Sequence, residues 1–327
     1  MKTFSKLLFP LLAAVLTGAA ALSAQTASPA YNKSQQKGSH NTEQRDETLK
    51  DALDFDWKQP YQGGVRNLEF DLVLSNVYLE PQFDWPSTLQ HGGKYNWKLA
   101  TLYDALKIIH NWHLAHPGHE VVTVSLDLKD APNADDGSDG NATYTQKIEQ
   151  TFTETLGAGN LYTPRMLQGD HPTLLDGARA QGWPTIDKLK DKFILVFTGS
   201  DSKSESNKAV VRRRAYLSQD TKNRMAFVDI DQRTAGNDLN KAPYTDGNRV
   251  FINIEYGRSG WCELALKAQA AGGFATRAYT LNNESDWNAA LRAAVNILAT
   301  DKVRNHEWAM VGKEPIVPAP VPGKCES

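Results

Sequence analysis

The stretch "GVRNLEFDLV", Gly64–Val73, decides the fold. Its apolar residues and its brevity predict a strand, and Glu69 and Asp71, two residues apart, then fall on one face of it. Two carboxylates aimed the same way into a protein interior repel each other unless a cation sits between them. The rest of the chain repeats the same theme. Strand-like runs recur at "EVVTVSLDL" (120–128), "FILVFTG" (193–199), "MAFVDID" (225–231), "RVFINIE" (249–255), "GGFATRAY" (272–279) and "AVNILAT" (294–300), and a weaker one precedes Gly38. Amphipathic stretches such as "LATLYDALKIIHNWHLAH" (99–116) and "SDWNAALRAAV" (285–295) separate them. Strands alternating with helices predict an α/β fold with a parallel sheet. Roughly eight such units favour a single-domain, TIM-type (β/α)8 barrel, with room for irregularity, over an open doubly wound sheet. Polar residues gather at the carboxyl ends of the strands: Glu69, Asp71, Asp127, Asp229, Asp231, Glu255, Arg277 and Asp301. That end is where barrel active sites are built.

Outside the barrel pattern, residues 1–24 have the basic start, apolar run and small-residue end of a signal peptide. The expected mature domain is 25–327, secreted or periplasmic, with a Pro-rich tail over about 312–327. The two cysteines, Cys262 and Cys325, are expected to form one intrachain disulfide that staples this tail to the body. A net charge of −2 makes nucleic acid a poor partner. The "RRR" at 212–214 reads as a solvated helix face. No glycine-rich nucleotide loop is present. The acidic segment "DAPNADDGSDGNATYTQ" (130–146), read as a calcium hand from Asp135, fails, with Gly137 at the third position and Gln146 at the twelfth. Trp85 and Trp97 would give at most transient contact with a membrane surface, and a monomer is expected.

The residues with chemistry to offer lie early. "GSHNT" (38–42) carries His40 and Asn41. Asn41, Glu69, Asp71 and Asp127 make an all-oxygen set suited to Ca²⁺, with Mg²⁺ the lesser alternative and zinc unsuited. His40 and His91, the latter placed by its glycines in a loop, can move protons beside such a cation, an arrangement fit for phosphoryl transfer. His113, His116 and His119, at the helix end "HPGH", read as structural groups answering the helix dipole.

Taken in order, "GSHNT", "GVRNLEFD", "QHGG" and "VSLDLKD" resemble the catalytic half of phosphoinositide-specific phospholipase C, above all its secreted, calcium-dependent microbial branch. "ATRAYTLNN" and "NILATDKV" are similar to late strands of that barrel. The resemblance implies a Ca²⁺-dependent phosphodiesterase with His40 and His91 as the catalytic pair and Asn41, Glu69, Asp71 and Asp127 as calcium ligands. Asp127 stands where the animal enzymes usually carry a glutamate. Arg277 and Tyr279 match an inositol-contacting "R-x-Y", and Lys129 is a further candidate substrate contact. Relatives that grip extra ring phosphates do so with lysines following the strand that is "FILVF" here. Thr198 and Gly199 occupy that place, which points to plain phosphatidylinositol or a lipid-free inositol phosphodiester. The implied reaction is attack by the inositol 2-hydroxyl, with Glu69 or Asp127 as base, His40 offsetting charge on phosphorus and His91 protonating the leaving oxygen. The alternatives are a related barrel phosphodiesterase acting on glycerophosphodiesters or sphingolipids, and a non-catalytic barrel that binds headgroups.

Overall fold

The structure, a computed structural model, describes residues 27–56, 63–74, 87–91, 94–95, 101–129 and 140–325. The signal segment, Trp57, Trp85, Trp97 and the acidic segment over 130–139 lie outside the described residues.

Eight parallel strands close into a barrel. They are β1 (Ser34–Ser39), β2 (Val65–Leu74), β5 (Val122–Leu128), β6 (Phe193–Thr198), β7 (Phe227–Asp231), β8 (Phe251–Glu255), β9 (Ala275–Tyr279) and β10 (Ile297–Thr300). β1 pairs with both β2 and β10, which removes the open edges of the sheet. Three more strands decorate it. β3 (Ser87–His91) and β4 (Lys94–Tyr95) form an antiparallel extension of β2, and β11 (Ile316–Pro318) runs antiparallel along the first half of β1. The helices are α1 (Leu49–Leu53), α2 (Leu102–Ala115), α3 (Gly140–Phe152), α4 (Pro164–Gln168), α5 (Leu174–Ala180), α6 (Lys208–Leu217), α7 (Gln232–Ala235), α8 (Trp261–Ala271) and α9 (Glu284–Arg292). The anticipated TIM-type barrel is present, and the four or five residues of α1 and α7 make it irregular.

The pleat of β2 explains its composition. Leu68, Phe70 and Leu72 belong to one core cluster with Leu102, Ala105, Leu106, Ile109 and Trp112, the apolar stripe of α2. Thr101 starts that helix by accepting the Asp104 amide at 3.1 Å. Burying each such aliphatic side chain stabilises the fold by about 1.5–3 kcal/mol relative to leaving it exposed. The alternate residues Asn67, Glu69 and Asp71 are also buried, but among polar groups. Asn67 donates to Ser125 Oγ at 2.9 Å and accepts from Arg277 Nε at 3.1 Å, linking β2 to β5 and β9.

Three expectations need correction or extension. His91 ends a strand, β3, where the glycines had suggested a loop. Ser87 to His91 adds to β2 through the register Leu72↔Leu89, and the antiparallel pair His91↔Lys94 flanks the two glycines. The arginine run is not a solvated face. Arg212 and Arg213 are buried, Arg212 over the Tyr144 ring and Arg213 between Asp201 (2.5 Å) and Asp229 (2.7 Å), and only Arg214 faces out, toward Glu205. The tail is held by more than its cysteine. The Cys262–Cys325 disulfide is present, and β11 pairs Ser34↔Pro318. Closing a loop of 63 residues is worth about 4 kcal/mol through restriction of the unfolded chain. No helix among the described residues is long and apolar enough to cross a membrane.

Candidate active site

Parallel register assembles the acidic cluster. Asp71 and Asp127 are direct partners across β2 and β5, and Glu69 lies one pleat behind. One carboxylate oxygen from each of the three lies within 4.8 Å of the others. Lys129 reaches into the group, its ammonium 3.1 Å from Asp71 Oδ1 and 2.5 Å from Asp127 Oδ2. Burial alone would lower its pKa, but the Asp127 and Asp71 charges hold it well above the ordinary lysine value. Arg277 Nη2 stands 3.6 Å from Glu69 Oε2, while its Nη1 donates to Asn253 Oδ1 at 2.8 Å. Burial would likewise raise the Glu69 carboxyl. The Arg277 and His40 charges and the Asn41 amide outweigh it and hold Glu69 below its usual range.

Asn41 sits on the turn after β1 with φ 47°, a left-handed conformation that asparagine tolerates better than most residues. Its backbone N–H donates to Glu69 Oε2 at 2.7 Å, which fixes the turn against β2. His40, just before it, has Nδ1 3.0 Å from Asp301 Oδ1 and its ring stacked on Tyr279 at 5.4 Å. The carboxylate can only accept, so Nδ1 carries the hydrogen and Nε2 is the nitrogen left to meet a ligand. Asp301 also receives Asn282 Nδ2 at 2.8 Å. Burial would raise its pKa, and the His40 hydrogen bond with the Arg45 charge holds it low. The buried Tyr279 hydroxyl has no hydrogen-bond partner among the described residues, as expected of a group kept for a ligand.

His91 ends β3, and β3 lies against the 3₁₀ turn Thr42–Gln44 that follows Asn41. The His91 side chain lies outside the described residues. His40, Asn41, Glu69, Asp71, Asp127, Lys129, Arg277 and Tyr279 come to this one mouth of the barrel. Two members escaped the sequence reading. Asp301 was visible as a polar strand end, but its bond to His40 was not. Glu43 carried no signal beyond its nearness to Asn41. Burial first, then the Glu69 and Asp71 charges, push its carboxyl up to about 9, so it is protonated at neutral pH.

The residues fit a hard divalent cation. Among the described residues three carboxyl groups meet two cationic side chains, Lys129 and Arg277, and every candidate ligand is an oxygen. Beyond Asp127 opens a cleft lined by Lys129, Gly199, Asn207, Arg213 and Arg233. Its arginines are already committed, Arg213 to two aspartates and Arg233 to Asp231 at 3.0 Å. Gly199 has φ 138°, a backbone conformation that residues with a side chain rarely adopt, and it lies beside Asp127.

A barrel with an acidic, oxygen-only cluster and a carboxylate-held histidine at its carboxyl-end mouth defines a metal-dependent phosphodiester hydrolase. A model of the family "Phosphoinositide phospholipase C, Ca2+-dependent" matches residues 94–305. The chain belongs to that family, and it is a calcium-dependent phosphoric diester hydrolase. Solved structures agree in fold. A calcium-dependent phosphoinositol-specific phospholipase C from a Gram-negative Pseudomonas species is 20% identical with TM-score 0.64, over 89% of this chain and 96% of that one. A Ca²⁺-dependent phosphatidylinositol-specific phospholipase C from Streptomyces antibioticus is 18% identical with TM-score 0.63, over 88% and 98%. PLC21 from S. officinalis is 12% identical with TM-score 0.51, over 90% of this chain and 37% of that one. No curated protein sequence matches the chain.

Proposed function

We propose that the protein cleaves phosphatidylinositol, or a related inositol phosphodiester, by attack of the inositol 2-hydroxyl on the neighbouring phosphorus. The observation that carries this reading is the convergence of Glu69, Asp71 and Asp127 with His40 at one mouth of the barrel. Asn41, Glu69, Asp71 and Asp127 would hold Ca²⁺, which when bound lowers the pKa of the attacking hydroxyl and offsets charge on the phosphoryl oxygens.

The side chains divide the remaining work. Glu69, kept ionised beside Arg277, accepts the proton of the 2-hydroxyl. Asp127 is the second candidate for that role. His40, oriented by Asp301 and Tyr279, turns Nε2 to the phosphoryl oxygens, and with a proton there it donates to the oxygen on which charge grows. His91 protonates the departing glycerol oxygen. Tyr279 and Arg277 orient the inositol ring, Tyr279 through its unused hydroxyl and Arg277 from the interior side. Lys129, now beside Asp71 and Asp127, would contact the phosphate when the carboxylates hold the cation. The committed arginines of the cleft favour an inositol without extra ring phosphates. Export behind the leader 1–24, a monomeric state and only transient membrane contact complete the reading, the first supported by the disulfide.

The test is phosphorus NMR of the purified protein with phosphatidylinositol, with Ca²⁺ and with a chelator. A cyclic inositol phosphate is expected only with Ca²⁺. A folded preparation that yields no cyclic product, or yields it equally in chelator, overturns the reading.

A further inference from the structure

A second group of ligand atoms lies at the opposite end of the barrel. His113 occupies the last turn of α2, His119 precedes β5, and Asp191 precedes β6. His113 Nδ1 is 2.8 Å from His119 Nε2, and His119 Nε2 is 3.9 Å from Asp191 Oδ1. One ligand atom from each lies within 4.8 Å of the others.

The protonation pattern is set by the neighbours. His119 Nδ1 is 2.6 Å from the Glu120 carbonyl oxygen, which can only accept. Nδ1 therefore carries the hydrogen, and Nε2 presents a lone pair to the centre of the group. A backbone carbonyl behind one ring nitrogen is the support that metal-bound histidines ordinarily have. This arrangement differs from the cationic, dipole-answering role read from the sequence. His116 does cap the helix, with Nδ1 2.7 Å from the Trp112 carbonyl oxygen.

Asp191 is held in place before any metal arrives. Its N–H donates to the His119 carbonyl at 2.9 Å, and its Oδ1 accepts the Gly118 N–H at 2.7 Å. His113 and Asp191 are partly exposed, which leaves an entry path.

We propose that His113, His119 and Asp191 form a site for a zinc-class transition metal, with water in the fourth position. Two imidazoles and one carboxylate suit tetrahedral Zn²⁺, whereas Ca²⁺ asks for six to eight oxygens. Two nitrogens on one tetrahedral zinc stand about 3.3 Å apart, given bonds of about 2.0–2.1 Å. The His113–His119 contact opens by about half an ångström and the His119–Asp191 contact closes by a similar amount. Without metal, the His113 Nδ1 proton bridges the two rings. On binding, that proton leaves Nδ1 and the ring takes one up at Nε2, so its charge is unchanged. The bound metal ties the α2–β5 turn to the start of β6.

The test is zinc binding by the metal-stripped full chain, by equilibrium dialysis with Ca²⁺ saturating, together with the visible spectrum of the Co²⁺-substituted protein. One equivalent of zinc held at micromolar concentration, and the strong bands of four-coordinate cobalt, are expected. His113→Ala and Asp191→Asn should each weaken this binding by at least about tenfold, and His116→Ala should leave it unchanged. Asp191→Asn keeps an acceptor for the Gly118 N–H, and circular dichroism checks that each variant is folded. No zinc bound by the wild type, binding displaced by Ca²⁺, or binding that survives both ligand substitutions overturns the proposal and leaves a hydrogen-bonded His–His–Asp group only.

Discussion

The two ends of the barrel each gather three ligand-bearing side chains, by different means. At the carboxyl ends, Glu69, Asp71 and Asp127 project from adjacent strands, and sheet register alone brings them together. At the amino ends, His113, His119 and Asp191 come from a helix end and two turns, joined by backbone hydrogen bonds. The first cluster is all oxygen, carries excess negative charge and is filled by a lysine ammonium. The second mixes two imidazoles with one carboxylate and is closed by a hydrogen bond between the rings. Proximity alone therefore does not distinguish the chemistry of the two groups. Donor type and the charge already present do.

Substitutions should separate the two ends. The largest effect is expected of Asp71→Asn, which removes a ligand and a charge from the acidic cluster. kcat/KM on phosphatidylinositol should fall about a thousandfold, since it loses transition-state stabilisation of the size a single oxyanion donor supplies. Zinc binding at the other end should not change, and a loss of both would mean that the two clusters are not independent. Asp301→Asn should cost about 10–100-fold in kcat with KM little altered, because it disorients His40 rather than touching substrate. An equal loss through KM alone would assign Asp301 to binding. Lys129→Met removes the ammonium that competes for the carboxylates, and calcium should bind about tenfold tighter, one charge interaction of about 1.4 kcal/mol. Calcium titration by calorimetry decides this, and unchanged affinity would mean that Lys129 already lies clear of the metal in solution.

A separate effect, on stability rather than activity, concerns Lys37, a buried ammonium that bonds only the Val303 carbonyl among the contacts described, in contrast to Lys129. Burial lowers its pKa from 10.5 to about 7. Between those values the unfolded chain takes up a proton that the folded chain does not, so the Lys37 penalty is full below pH 7 and is relieved as pH rises. Its contribution should raise unfolding free energy by at most about 1.4 kcal/mol per pH unit over that window. Urea titrations across the window should lose this slope in Lys37→Met.

Much of the mouth was legible in the sequence because strand periodicity is local. The "E-x-D" of β2 and the "SLD" of β5 declare one face each, and parallel pairing does the rest. Legibility ended where a partner is remote. Asp191 is far from His113 in sequence, and no local pattern links them. The arginine run was misread for the same reason, since Asp201 and Asp229 alone make burial of Arg213 tolerable. β3 was hidden by its glycines, which signal a turn equally well inside a loop or between two short strands.

The seam at β1 bears on how the protein is made. The first half of this strand pairs with β11 and most of its length with β10, so one side of the segment that leads into His40 and Asn41 is fixed by residues synthesised after the other barrel strands. Such long-range pairings are slow to form. A nascent chain carrying β1 to β9 would already contain the acidic strands, yet the turn bearing His40 would be held against β2 alone, without β10 and β11 on its other side. The barrel becomes competent late, when the closing strands emerge, and shortening the chain before Ile316 should damage the distant mouth more than the apolar wall it touches.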